Sequence, residues 1–217
     1  MISWLKRAIA AVDAVIWPRR VVCLLCDELT DDDYLCPQCE VALDAYRLGE
    51  PDGGVCSAYR YKAQAKRLVT ALKYDGMADA ACVLARAMAE DASKLPLPSD
   101  TVVTWAAMPR RRKLVRGIDH GQRLAEEVAK RLGLRAECLL RRVKRVHTQR
   151  GLNAQQRQEN LKGVFSAVRP IASAVLIVDD VLTTGATMRA CSEALTAAGA
   201  NSVFVVTATR VDDPKAR

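Results

Sequence analysis

Aromatic side chains are scarce in this chain of 217 residues, with three Trp, five Tyr and two Phe. That scarcity argues against a broad platform on which successive bases of a single strand could stack. Long apolar runs are missing as well. The longest near the start, from Ile9 to Trp17, is interrupted by Asp13 and is too short to cross a bilayer. Lys6 and Arg7 precede it, but no small-residue cleavage site follows, so it does not read as an export signal. Internal repeats and low-complexity tracts are absent too. The expected compartment is the cytoplasm, where thiols stay reduced.

Half of the residues are hydrophobic, enough for one good-sized core plus a small appendage. The formal charge of +8 points to polyanionic partners, either phosphates or nucleic acid. Eight cysteines are the other conspicuous feature. Cys23-x-x-Cys26 and Cys36-x-x-Cys39 are two tight pairs separated by nine residues. Each turn presents two thiolates to one tetrahedral ion, and the two together complete a Cys₄ zinc site. With all four ligands from protein, such a site is closed and structural. Thioredoxin-like redox chemistry is the rival, and two pairs in so short a segment fit metal better. Cys82, Cys138 and Cys191 lie in apolar or helical contexts and read as core, while Cys56 is a lone extra.

Along the chain, Leu5, Ile9, Val12 and Ile16 recur at helical spacing, and Pro18 ends that pattern. Pro51, Gly53 and Gly54 form a linker. The expected division is therefore residues 1–52, an N-terminal helix and cysteine module, and 53–217, the larger domain. In that domain the pattern predicts a helix over Lys66–Tyr74 with Gly76 as its C-cap, and another over Ala80–Ala92. A strand at Thr101–Met108, a basic loop and a helix at Gln122–Leu132, closed by Gly133, come next. Val175–Val178 reads as a buried strand, Ala186–Ala198 as a helix stopped by Gly199, and Asn201–Thr209 as a further strand. Strands alternating with helices predict an α/β fold built on a parallel sheet.

The most informative segment is Val175-Leu-Ile-Val-Asp179-Asp180-Val-Leu-Thr183-Thr184-Gly185-Ala186-Thr187. A buried strand carries two adjacent carboxylates to its C-terminal end, where open α/β sheets bind ligands. A loop of small hydroxyl residues and glycine then leads into a helix. Backbone N–H groups of such a loop can turn toward one anion, and the helix dipole favours negative charge there. The carboxylates suit the vicinal hydroxyls of a ribose, and general acid–base work is the other role two acids could take. The segment resembles the motif with which type I phosphoribosyltransferases bind 5-phosphoribosyl-1-pyrophosphate (PRPP). The resemblance implies that Asp179 and Asp180 hold the ribose, and that Thr183, Thr184, Gly185, Ala186 and Thr187 hold the 5-phosphate.

Two basic stretches complete the reading. Pro109-Arg110-Arg-Arg-Lys-Leu-Val-Arg116-Gly117 places five cations around a proline turn. Arg110 and Arg116 are candidates for the pyrophosphate, because arginine matches phosphate oxygens bidentately. Mg²⁺ would share in neutralising that pyrophosphate. A solvated turn or a nucleic-acid patch is the competing reading. Arg141 to Arg150 and on to Asn160 forms a polar excursion of the kind that closes over charged ligands. His147 lies in it, and a solvated loop position is the commoner role for such a histidine. His120, beside Gly121, has no sharper claim.

In this order, the paired cysteines, Tyr59 through Lys73, Pro109 with Arg116-Gly117, Gln149, Arg157-Gln-x-Asn160-Leu, Phe165 and the PRPP-like motif resemble the ComF family. Members often carry Asn where this chain has Asp119, and threonine where it has Val146. The resemblance implies a type I phosphoribosyltransferase-like parallel sheet with flanking helices, preceded by a small Cys₄ zinc module. It implies a role in natural competence and the uptake and utilisation of DNA, with single-stranded DNA and DNA-uptake or recombination proteins as possible partners. A non-catalytic DNA-handling or regulatory protein that keeps the PRPP-like pocket is the alternative. The acceptor of any transfer, and any catalytic residue, are not legible in the sequence.

Overall fold

The computed structural model describes residues 21–212 apart from 31–33, 75–76, 78, 109–118, 144–160 and 162. The helical pattern of residues 1–17, Gly76, both candidate arginines and residues 144–160 of the polar excursion, His147 among them, lie outside the described residues. Arg141 and Arg142, at the start of that excursion, belong to a strand rather than a loop.

Among the described residues, the main sheet has five parallel strands. They are β3 (Val55–Arg60), β4 (Val102–Trp105), β5 (Arg135–Ala136), β8 (Ala174–Leu182) and β9 (Ser202–Arg210), in the order β3-β9-β8-β4-β5. The run Ala174–Val178 is apolar without alternation because β8 is central and covered on both faces. Leu176 and Val178 face one core together with Val103, Trp105, Val206 and Ala208. Helices α2 (Ala63–Tyr74), α3 (Asp79–Ala92) and α4 (His120–Leu132) fill that side with Leu68, Val69, Leu84, Met88, Leu124 and Val128. Val175 and Ile177 face the opposite core with Val102 and Val205. There they meet Met188, Cys191 and Leu195 of α5 (Ala186–Ala197). The antiparallel pair β6 (Leu140–Arg142) and β7 (Phe165–Ala167) closes that side.

The helices start and stop where local chemistry dictates. Asp119 caps α4, its Oδ1 accepting from the Gln122 backbone N–H at 3.2 Å, and Gly133 ends it in the left-handed region at φ 68°. The sequence pattern foresaw this helix and its glycine stop. It did not foresee β3, whose residues follow the Gly53-Gly54 turn and were left without an element. As the edge strand pairing β9, Val55–Arg60 is short, and Ser57 and Arg60 break its apolar run. Cys82 and Cys191 are buried as expected, but Cys138 is exposed, because it falls in the connection between β5 and β6 rather than within an element.

Ahead of the sheet, β1 (Val21–Val22) and β2 (Leu29–Thr30) pair antiparallel, and α1 (Pro37–Asp44) follows with proline in its first turn. Leu25, Leu35 and Leu43 of this segment join the core beneath α2 and α3. The Arg67 guanidinium of α2 donates to the Leu25 carbonyl, and Arg86 of α3 pairs with Glu40.

One topological feature positions the site. β4 continues through α4 on one face to β5, whereas neighbouring β8 continues through α5 on the other face to β9 in the opposite direction. The C-terminal ends of β4 and β8 therefore flank a switch point, the place where open α/β sheets leave a crevice.

Candidate functional site

Residues 183–185 leave β8 and enter α5. Gly185 takes the N-cap position at φ 71°, a conformation L side chains disfavour. Having no side chain, it caps nothing, so beyond the Ala186 N–H, which meets Thr184 Oγ1, the first N–H groups of α5 keep their capacity to meet an anion. Thr184 Oγ1 lies 3.4 Å from the Ala186 N–H, and the Arg189 guanidinium donates to the Thr184 carbonyl at 2.9 Å, fixing the loop from inside the helix. Thr183 is exposed, Thr184, Gly185 and Thr187 are half-buried, and Ala186 is buried. The structure thus brings all five sequence-chosen residues to one helix start.

Asp179 and Asp180 end the buried part of β8, and the strand treats them differently. Asp179 is half-buried, and its Oδ1 accepts from the Asp180 backbone N–H at 2.9 Å. Burial and then the neighbouring charge of Asp180 push its carboxyl up to about 7. Asp180 is only 5% exposed, on the face shared with α2 and α4. Its Oδ1 lies 2.6 Å from the Lys73 ammonium, at the last turn of α2. Its Oδ2 lies 2.9 Å from His120 Nε2, at the first turn of α4. Burial alone would push this carboxyl up. The hydrogen bond from His120 and the Lys73 charge reverse that and hold it below the usual carboxylate range.

Lys73 and His120 are the functional candidates that residue-by-residue reading missed. Lys73 was noted only as the last residue of the Tyr59–Lys73 segment that carries the family resemblance, and His120 only as a neighbour of Gly121. What could have flagged them is position, since Lys73 ends one helix and His120 starts another, both aimed at the same strand end. Among the described residues, His120 Nδ1 is buried without a hydrogen-bond partner. Arg110 and Arg116 immediately precede α4 in the chain, outside the described residues.

An open cavity of about 1500 Å³ adjoins the loop, lined by Thr183, Thr184, Gly185, Met188, Arg189 and Arg210 among others. Neither aspartate borders it, so it neighbours the acid pair rather than containing it. The convergence of Lys73, His120 and the two carboxylates on one strand end marks the site more sharply than that volume does.

The cysteine pairs converge as their spacing suggests. The four Sγ atoms of Cys23, Cys26, Cys36 and Cys39 all lie within 4.8 Å of one another, and Cys26 and Cys36 approach to 3.5 Å. A tetrahedral zinc with Zn–S bonds of about 2.3 Å needs sulfurs about 3.8 Å apart, so the cluster fits that ion. The Leu25 N–H points at Cys23 Sγ from 3.5 Å. Burial opposes the Cys23 thiolate, but backbone N–H groups around it outweigh burial and bring the thiol down to about 6. Asp27, just after the first pair, sits in the left-handed region at φ 62°, with its N–H bonded to the Cys23 carbonyl at 3.0 Å.

The model of the phosphoribosyl transferase domain family matches residues 117–217, from the start of α4 through β9. The DNA utilization protein YhgH of Salmonella typhi is 32% identical over 192 residues, spanning 79% of this chain and 82% of that protein. Competence protein F of Haemophilus influenzae is 34% identical over 95 residues, 42% of each. Among solved structures, the glutamine PRPP amidotransferase from B. subtilis covers 64% of this chain and 30% of its own longer one, at 21% identity and a TM-score of 0.42. With a relative 32% identical over most of both chains and the transferase domain matched over residues 117–217, this chain belongs to the ComF family of phosphoribosyltransferase-like proteins.

Proposed function

We propose that this protein binds PRPP at the C-terminal end of β8 and acts in the uptake and utilisation of DNA. The single observation that carries the ligand is the continuity of the acid pair, Asp180 buried and Asp179 half-buried, with a helix start whose N-cap residue, Gly185, has no side chain. Thr183, Thr184, Gly185, Ala186 and Thr187 would hold the 5-phosphate through backbone N–H groups and hydroxyls. Asp179 and Asp180 would accept from the ribose hydroxyls. Arg110 and Arg116 would meet the pyrophosphate. Mg²⁺ belongs with that pyrophosphate rather than with a cage of protein carboxylates. Among the described residues, Asp180 is already engaged by two donors and Asp119 serves as a helix cap. If transfer occurs, a nucleophile takes C1′ as the C1′–O bond to pyrophosphate breaks.

The biological role rests on the relatives, which are named for DNA utilization and competence. Zinc in the Cys₄ site is structural: it would fix β1, β2 and α1 against α2 and α3. Thiolate ligation of this kind suits a reducing compartment, which favours the cytoplasm. Among the described residues no helix is long and apolar enough to cross a membrane.

Complementation tests this role. In a strain lacking the gene, the wild-type allele is expected to restore use of external DNA, and an Asp179→Asn, Asp180→Asn allele expressed at the same level is not. Full restoration by that double variant would separate the biological role from the PRPP site.

A further inference from the structure

Asp180 is closed in by protein, only 5% exposed, so little of its carboxylate is open to a further donor. Its two carboxylate oxygens meet one donor each, Lys73 at 2.6 Å and His120 at 2.9 Å. A buried ion pair of this sort does little for stability, because desolvation offsets most of the Coulombic gain. Its location is therefore the informative part. Lys73 keeps 20% of its side chain exposed at the switch-point crevice, against 7% for Asp180. An ammonium has three N–H donors, and only one is needed for Asp180. A ribose hydroxyl reaching Asp180 must compete with a donor already there, and Lys73 is the more exposed of the two, since His120 keeps 12% of its side chain exposed.

We propose that Lys73 is a shared cation, holding Asp180 in the free protein and turning to the pyrophosphate of PRPP when a ribose hydroxyl takes its place. This rests on the reading that the end of β8 binds PRPP. No covalent bond changes in the exchange. One hydroxyl donates to Asp180 Oδ1, one N–H of Lys73 moves from that oxygen to a pyrophosphate oxygen, and His120 stays on Oδ2. The diol and the pyrophosphate are thereby coupled, so a ligand carrying both gains more than the sum of its parts. A ligand with the diol alone displaces Lys73 and leaves the ammonium without an anion.

Calorimetric titration of the zinc-loaded chain with PRPP plus Mg²⁺, and separately with ribose 5-phosphate, tests this in the wild type, Lys73→Met and Lys73→Gln. Lys73→Gln keeps a hydrogen bond to Asp180 without the charge, which covers the case in which Met fails to fold. We expect both variants to weaken PRPP binding by about 10- to 100-fold, the scale of one charge-assisted contact. Ribose 5-phosphate should bind the variants no more weakly than the wild type, and Lys73→Met up to about tenfold more tightly, since it has no pyrophosphate to lose and no longer leaves an ammonium without an anion. Lys73→Arg is expected to keep most of the preference for PRPP. Equal weakening of both ligands, or no weakening of either, overturns the role of Lys73 while leaving PRPP binding intact. A wild type that binds neither ligand overturns the PRPP reading and this inference with it.

Discussion

Asp179→Asn should stabilise the fold while damaging the site, and the gain should depend on pH. Burial and the adjacent Asp180 charge carry the Asp179 carboxyl from its ordinary 3.8 to about 7. Between those values the folded chain holds a proton that the unfolded chain has released, so stability falls as pH rises through that window and levels off above it. At about 1.4 kcal/mol for each tenfold change in a proton equilibrium, the ceiling of that loss is about 4 kcal/mol. Asp179 is only half-buried, and solvent screening reduces the expected loss to about 1–2 kcal/mol. Asn cannot ionise, yet its Oδ1 can still accept from the Asp180 N–H as Asp179 does at 2.9 Å. We therefore expect Asp179→Asn to exceed the wild type by about 1–2 kcal/mol at pH 8, with a smaller margin at pH 5. Urea unfolding followed by circular dichroism, with both proteins in the same excess of zinc, isolates the difference from any titration of the cysteine module. A margin that is equal at both pH values, or a variant less stable than the wild type at pH 8, would refute the assignment of a buried, charge-opposed Asp179.

Three further outcomes follow from local geometry. Cys26→Ser removes one of four converging sulfurs. It should abolish stoichiometric zinc retention in a chelator competition and cost about 3 kcal/mol, roughly a quarter of a structural zinc site's binding energy. Gly185→Ala meets no atom closer than 3.8 Å, so its effect comes from the backbone alone. A φ of 71° should cost about 1 kcal/mol of stability in thermal unfolding and weaken PRPP binding roughly tenfold by shifting the start of α5. Asp27→Gly should act in the opposite direction, relieving the left-handed strain at φ 62° and raising the midpoint of unfolding by the equivalent of about 0.5–1 kcal/mol.

The parts legible in the sequence are those where local chemistry and tertiary role agree. Val175–Val178 reads as a two-face-buried strand because both faces are covered, and Gly133 closes α4 by a capping rule that needs no tertiary context, although the Asp119 cap that starts it ahead of Gln122 went unread. The cysteine spacing gave the cluster for the same reason, since four ligands on two tight turns have few other places to go. What escaped reading depends on contacts between distant segments. β3 gains its identity from pairing with β9, about 150 residues later, and nothing in Val55–Arg60 alone distinguishes it from the turn before it. Lys73 and His120 meet Asp180 only because α2 and α4 pack on the same face of the sheet. Cys138 was placed inside on its apolar sequence context, but it lies in a connecting segment, where backbone polar groups keep the chain at the surface.

The most direct test of the central claim is calorimetric titration of the zinc-loaded protein with PRPP and Mg²⁺, beside the Asp179→Asn, Asp180→Asn double variant. We expect saturable one-to-one binding by the wild type that the folded double variant loses. A well-folded wild type that takes up no PRPP, or a double variant that binds it equally well, would contradict the site at the end of β8.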